Sequence, residues 1–163
     1  MSLIDASLDP PLHFEAVGAF HSLVAASSAI VNPYGVPEAS LVFLHAANDT
    51  DEPGTSKPDR YIVVRERVSL DSPYQTSTGD SVVPIQVMAA IDRRRPNPHK
   101  WLAAIHEGVF ATVVNQKPTI ANGVLSLPFY RERMPTAAML DDEDGEWYST
   151  ALYFAVVRPV IPD

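Results

Sequence analysis

The sequence predicts an α+β domain, a mostly antiparallel sheet with two main helices packed on it. Two segments carry apolar residues at helical spacing behind a proline-bearing start, and five others are β-branched or alternating over strand lengths. Their order along the chain is helix, strand, strand pair, helix, strand, strand, which reads as helices on a largely antiparallel sheet. At 163 residues the chain suits one domain spanning 1–163.

The first helix starts at Asp9-Pro10-Pro11, with Asp as N-cap and proline in the first turn. Phe14, Val17, Phe20 and Val24 recur at helical spacing, and Asn32-Pro33 stops the pattern. A short strand follows in Ser40–His45. Residues 48–59, "NDTDEPGTSKPD", hold turn-forming and charged residues without periodicity and read as a mobile surface loop. Tyr61–Leu70 and Val82–Ile91 read as an antiparallel pair joined by a second mobile stretch at about 71–81. Ile62, Val64 and Val68 share one face of the first strand; Ile85, Val87, Ala89 and Ile91 share one face of the second.

Asn97-Pro98 repeats the cap-plus-proline device and opens a helix over about His99–Gln116, ended by Pro118. Its buried stripe is Leu102, Ile105, Val109 and Val113. Val124–Tyr130 and Trp147–Arg158 are the last two strands. In the closing strand both faces are apolar, with Ala151, Tyr153, Ala155 and Val157 on one side and Leu152, Phe154 and Val156 on the other. Helices can cover one face; the other calls for a second layer or a neighbouring subunit.

Composition narrows the function. The net charge of −8 argues against a nucleic-acid binder. The chain has no cysteine, which removes thiolate chemistry and fits a reducing compartment. The first thirty residues lack the pattern of a secretory signal, and the longest apolar run, Ala151–Val157, is too short for a membrane helix. The seven glycines are never closer than Gly108 and Gly123, so neither a P-loop nor a dinucleotide fingerprint is present. His13, His21, His45, His99 and His106 include no pair at zinc-binding helical spacing and read as solvated or capping residues. No serine sits in a nucleophile elbow.

Asp141, Asp142, Glu143, Asp144 and Glu146 crowd the approach to the closing strand. As a calcium loop the register fails: with Gly145 sixth, the first position is Leu140 and the twelfth is Ala151. The cluster reads as a solvated turn, with a divalent-ion site as the alternative. Arg93, Arg94 and Arg95 read as a solvated strand end or as a patch meeting a neighbour's acidic turn; a phosphate contact is the rival.

"DDEDGEWYSTALYFAVV" resembles the C-terminal segment of the tail terminator family of long-tailed bacteriophages, the family of the lambda-like minor tail protein U. The likeness lies in Asp141 and Asp142, then Gly145, Trp147, Ser149 and Leu152, and in Tyr153 and Val156 of the closing strand. "LPFYRER" upstream resembles the family's short aromatic-then-basic strand, and the order of elements agrees over most of the chain. The resemblance implies a protein that is not an enzyme and needs no cofactor or metal. It implies a six-fold ring that caps the tail tube and presents a surface to the head connector. Its partners would be itself, the tail tube protein and the head–tail connector or stopper, with DNA passing through the ring unread and no membrane contact. It would sit in the virion at the head-proximal end of the tail, assembled in the host cytoplasm. The candidate assembly interface pairs Asp141, Asp142, Glu143, Asp144 and Glu146 with Arg93, Arg94 and Arg95 of a neighbour.

The rivals within virions are a head-completion or stopper protein and a tail-tube subunit. From other classes come a small-ligand module walled by Trp101, Tyr130, Trp147 and Tyr148, and a metal-assisted hydrolase built on the acidic cluster.

Overall fold

The computed structural model describes residues 12–27, 30, 42–44, 59–67 and 80–160. The first helix cap at Asp9–Pro11, the Asn32-Pro33 stop and almost all of the 48–59 and 71–81 loops lie outside the described residues.

Helix α1 (Leu12–Ala26) is followed by the short strand β1 (Val42–Leu44), then β2 (Arg60–Glu66) and β3 (Ser81–Asp92). Helix α2 (Pro98–Val113) leads to β4 (Gly123–Arg133), β5 (Met139–Asp141) and β6 (Glu146–Pro159). The six strands form one sheet in the order β1-β2-β3-β6-β4, with β5 continuing along β6 beyond β4. Every pair is antiparallel except β1 with β2. The fold is therefore α+β on a mixed, mostly antiparallel sheet, and the pairing of β2 with β3 is the one expected from sequence.

Both helices lie on one face. Val17, Phe20 and Val24 of α1 and Leu102, Ile105, Val109 and Val113 of α2 join Ile62, Val64, Ile85, Val87, Tyr153 and Val157 in one buried cluster. At its centre Phe20 packs edge-on against Phe129 and Tyr153, with ring centroids 5.2 and 5.1 Å apart. Phe14, placed in the stripe by its spacing, is exposed instead. The stripe is centred on Phe20, and at 3.6 residues per turn Phe14 rotates off its edge.

Two further details of the helices differ from expectation. Asn97 does not cap α2 through its side chain. It sits in the left-handed region at φ 54°, where its carbonyl accepts the Trp101 N–H at 3.2 Å, so the backbone performs the closure. At the other end α2 stops at Val113 rather than Gln116, because Val114 is extended and Asn115 turns left-handed at φ 64° before Pro118 is reached.

The opposite face of β6 also carries apolar residues, as its sequence requires. Leu152 and Val156 are buried, and Phe154 packs on Tyr130 at 5.6 Å. A small cluster of Tyr61, Val63 and Ala90, flanked by Phe43, Met88 and Tyr148, continues across β2 and β3. Neither described helix contributes to that cluster.

Proline and bulges mark what the sheet can bear. Pro84 lies in β3, a central strand, yet its carbonyl accepts Arg67 N–H at 3.0 Å. Its missing donor therefore faces the end of β2, where the ladder is already finished, and not β6. The β4–β5 edge is irregular. Between the pairs Gly123–Pro159 and Asp141–Glu146 this edge takes eighteen residue steps against thirteen on β6. The five extra residues fall at three register shifts within β4 and in the segment 134–138 between β4 and β5. That segment stays attached through Thr136 N–H to Thr150 O at 2.8 Å and Thr150 N–H to Thr136 Oγ1 at 3.1 Å. Gly123 begins β4 where nothing larger fits, since a Cβ there would lie 2.6 Å from the Arg158 carbonyl oxygen.

Candidate functional site

The acidic residues form the tip of the β5–β6 hairpin. Gly145 turns the chain at φ +66°, a conformation that favours glycine, and its N–H donates to Asp141 O at 2.8 Å. The Asp141 carboxylate is spent on the turn itself, because its Oδ1 accepts the N–H groups of Glu143 at 3.0 Å and Asp144 at 3.2 Å. Asp142, Glu143 and Asp144 are exposed at the tip. Glu146 is not part of that surface. It is buried, and accepts the Tyr61 hydroxyl at 2.7 Å. Its side is set by the strand period: Glu146 shares with Tyr148 the sheet face that faces away from the helices. Among the described residues no three or more of His, Asp and Glu gather in a way that could hold a metal ion.

The arginine run lies beside this turn in the same chain. Arg93 N–H donates to Gly145 O at 3.0 Å. Arg94 grips Asp92 with two bonds, Nε at 3.0 Å and Nη2 at 3.1 Å, and its guanidinium holds the Asp92 carboxyl below the usual carboxylate range. Arg95 pairs with Asp59. Two of the three cations are thus already matched within the subunit, at exposed positions where such pairs contribute little stability.

The four aromatics considered as pocket walls do not converge. Trp101 and Trp147 pack against the helix-covered core, and Trp147 meets His99 in a tilted contact with ring centroids 4.9 Å apart. Tyr148 and Tyr130 belong to the other face.

A cavity of about 520 Å³ opens elsewhere, between α2 and the 134–138 segment. Leu102, Ala103 and Phe110 of α2, Met134 to Ala138, Arg131 and Ser149 line it together with His99, His106 and Glu107. The 134–138 segment, where two of the extra residues fall, forms one wall of this space. His106 is 1% exposed, and its Nε2 lies 2.8 Å from Ser149 Oγ. Among the described residues its Nδ1 has no partner. Burial, with the Arg131 charge as a lesser cause, pushes the His106 pKa down to about 4. His106 is therefore buried, which corrects the reading of the histidines as solvated or capping residues. Its position one residue after Ile105 and four after Leu102, within the apolar stripe, was the readable signal. Arg131 lies over the Phe110 ring, 4.0 Å from its centroid, and donates to the Met134 sulfur at 2.9 Å. Burial raises the Tyr153 hydroxyl to about 12, against a lesser opposing effect of the neighbouring Arg131 guanidinium.

The fold has a solved counterpart. A chain in the virion of a native gene transfer agent particle superposes with a TM-score of 0.64 and 14% sequence identity, over 86% of this chain and 92% of that one. At that identity the likeness establishes the shared fold. No protein-family model matches the sequence. No curated protein matches it either.

Proposed function

We propose that this protein is a structural virion protein, a tail terminator whose closed ring caps the tail tube and joins it to the head connector. The observation that carries this reading is the shared fold, which spans nearly the whole of a chain that resides in a virion. The C-terminal resemblance to tail terminators supports that role within the particle. The turn that opens β6 offers a charged, exposed surface suited to a specific contact that exposed charges can steer.

The edges of the sheet support a closed assembly over open-ended growth. The described part of β1 is Val42–Leu44, and the β4 edge is bulged and carries Pro128. Bulged and proline-bearing edges resist strand-to-strand addition. The net charge of −8 further disfavours indefinite self-association.

A tail-tube subunit and a stopper are the neighbouring roles. Negative-stain imaging of the purified protein across a concentration series separates them. Monomers or closed rings are expected. Long tubes at high concentration would transfer the assignment to a tube protein.

A further inference from the structure

We propose that the cavity beneath the 134–138 segment is the socket for the acidic hairpin tip of a second copy of this chain, with Arg131 as the cation that receives its carboxylates. The proposal rests on the ring reading above and names the contact that would build the ring.

Arg131 is half-buried, lines the cavity and has no carboxylate partner among the described residues; its guanidinium meets the Met134 thioether and the Phe110 face and lies close enough to act on the Tyr153 hydroxyl. A thioether is a weak acceptor, so most of the guanidinium's donors remain unmatched. The Phe110 ring 4.0 Å from Arg131 Cζ restrains the guanidinium, which limits the ordering cost when a carboxylate arrives. The remaining walls are largely apolar, and His106 behind them is uncharged at neutral pH. The only negative charge among the lining residues is Glu107, exposed at the edge. The site therefore suits a segment that offers an apolar side chain beside a carboxylate.

The hairpin tip has that composition. Met139 and Leu140 are each 41% exposed, and the Asp142 and Glu143 carboxylates, a few residues further on, have no cation partner among the described residues. The tip cannot reach its own socket, because β5 is held on β6 from Met139–Tyr148 to Asp141–Glu146 and Gly145 is bonded to Arg93. The contact must join two molecules through two different patches. Such a head-to-tail contact closes into a ring when the rotation divides the circle. The geometry also moves the receiving cation from the arginine run, where Arg94 and Arg95 are already paired, to Arg131.

The absence of cysteine makes a direct test possible. One preparation carries Glu143→Cys and another Glu107→Cys, and the two are mixed under mild oxidation. Disulfide-linked heterodimers are expected in several-fold excess over either homodimer. Arg131→Met, which keeps apolar packing on Phe110, should cut that yield by about tenfold or more by removing the charge partner. Arg131→Glu in the Glu107→Cys preparation, combined with Asp142→Lys in the Glu143→Cys preparation, should restore it. A statistical mixture of dimers, or an unchanged yield in a folded Arg131→Met protein, overturns the proposal. Closed rings that persist in Arg131→Met would sink this contact and leave the ring reading standing. Strong heterodimer capture by a chain that images only as tubes would keep the contact and remove the ring.

Discussion

Phe20→Ala is expected to lower the unfolding free energy by about 3–5 kcal/mol, the range for emptying a large aromatic site in a packed core. Phe20 is fully buried where α1 meets the sheet, and its ring is held edge-on by both Phe129 and Tyr153. Removing it leaves a cavity against two strands that cannot collapse independently, and it forfeits two aromatic contacts worth about 0.5–1.5 kcal/mol each beyond burial. It also detaches the face of α1 that docks on β6. Denaturant midpoints at constant slope measure the loss. Phe14→Ala is the matched control, since Phe14 is 41% exposed and its truncation should cost well under half as much. Equal losses for the two variants would mean that α1 packs through a different face.

The second large effect is a pH dependence centred on His106. Its pKa in the folded protein is about 4, below the ordinary 6.5. Above pH 6.5 the imidazole is neutral in both states and costs nothing. As the pH falls from 6.5 towards 4, the unfolded chain takes up a proton that the native protein refuses. Stability is lost over that window at a slope approaching about 1.4 kcal/mol per pH unit, or about 3 kcal/mol in all. Below pH 4 the native protein also binds the proton and this contribution levels off. Chemical unfolding at a series of pH values should show the loss in the wild type. His106→Gln, which keeps a hydrogen-bonding group near Ser149 but cannot titrate, should show a correspondingly shallower acid limb. Parallel limbs for the two proteins would place the acid sensitivity on the carboxylates instead.

The main elements were legible because periodicity reports burial directly. The stripe Leu102, Ile105, Val109 and Val113 and the alternation in Val82–Ile91 each encode which side faces the core, and the sheet and helices follow from them. What escaped reading has no period. The extra residues of β4 and 134–138 look in sequence like any loop, although the 134–138 segment walls the cavity. β5, three residues long, offers too few positions for a pattern. Glu146 was grouped with the charges beside it, and only its strand position, two residues before Tyr148, separates it from the turn. Arg131 belongs to the basic end of "LPFYRER", but its place over Phe110, twenty-one residues earlier and on another element, has no signal in that motif. The acidic turn itself was recognisable from composition, but its internal wiring through Asp141 was not.

The central claim is positional, and imaging of intact particles tests it most directly. A tag on this chain, located by cryo-electron microscopy of assembled virions, should appear as one ring at the head-proximal end of the tail. Density repeated along the length of the tube, or confined to the distal tip or the head shell, would contradict the terminator reading.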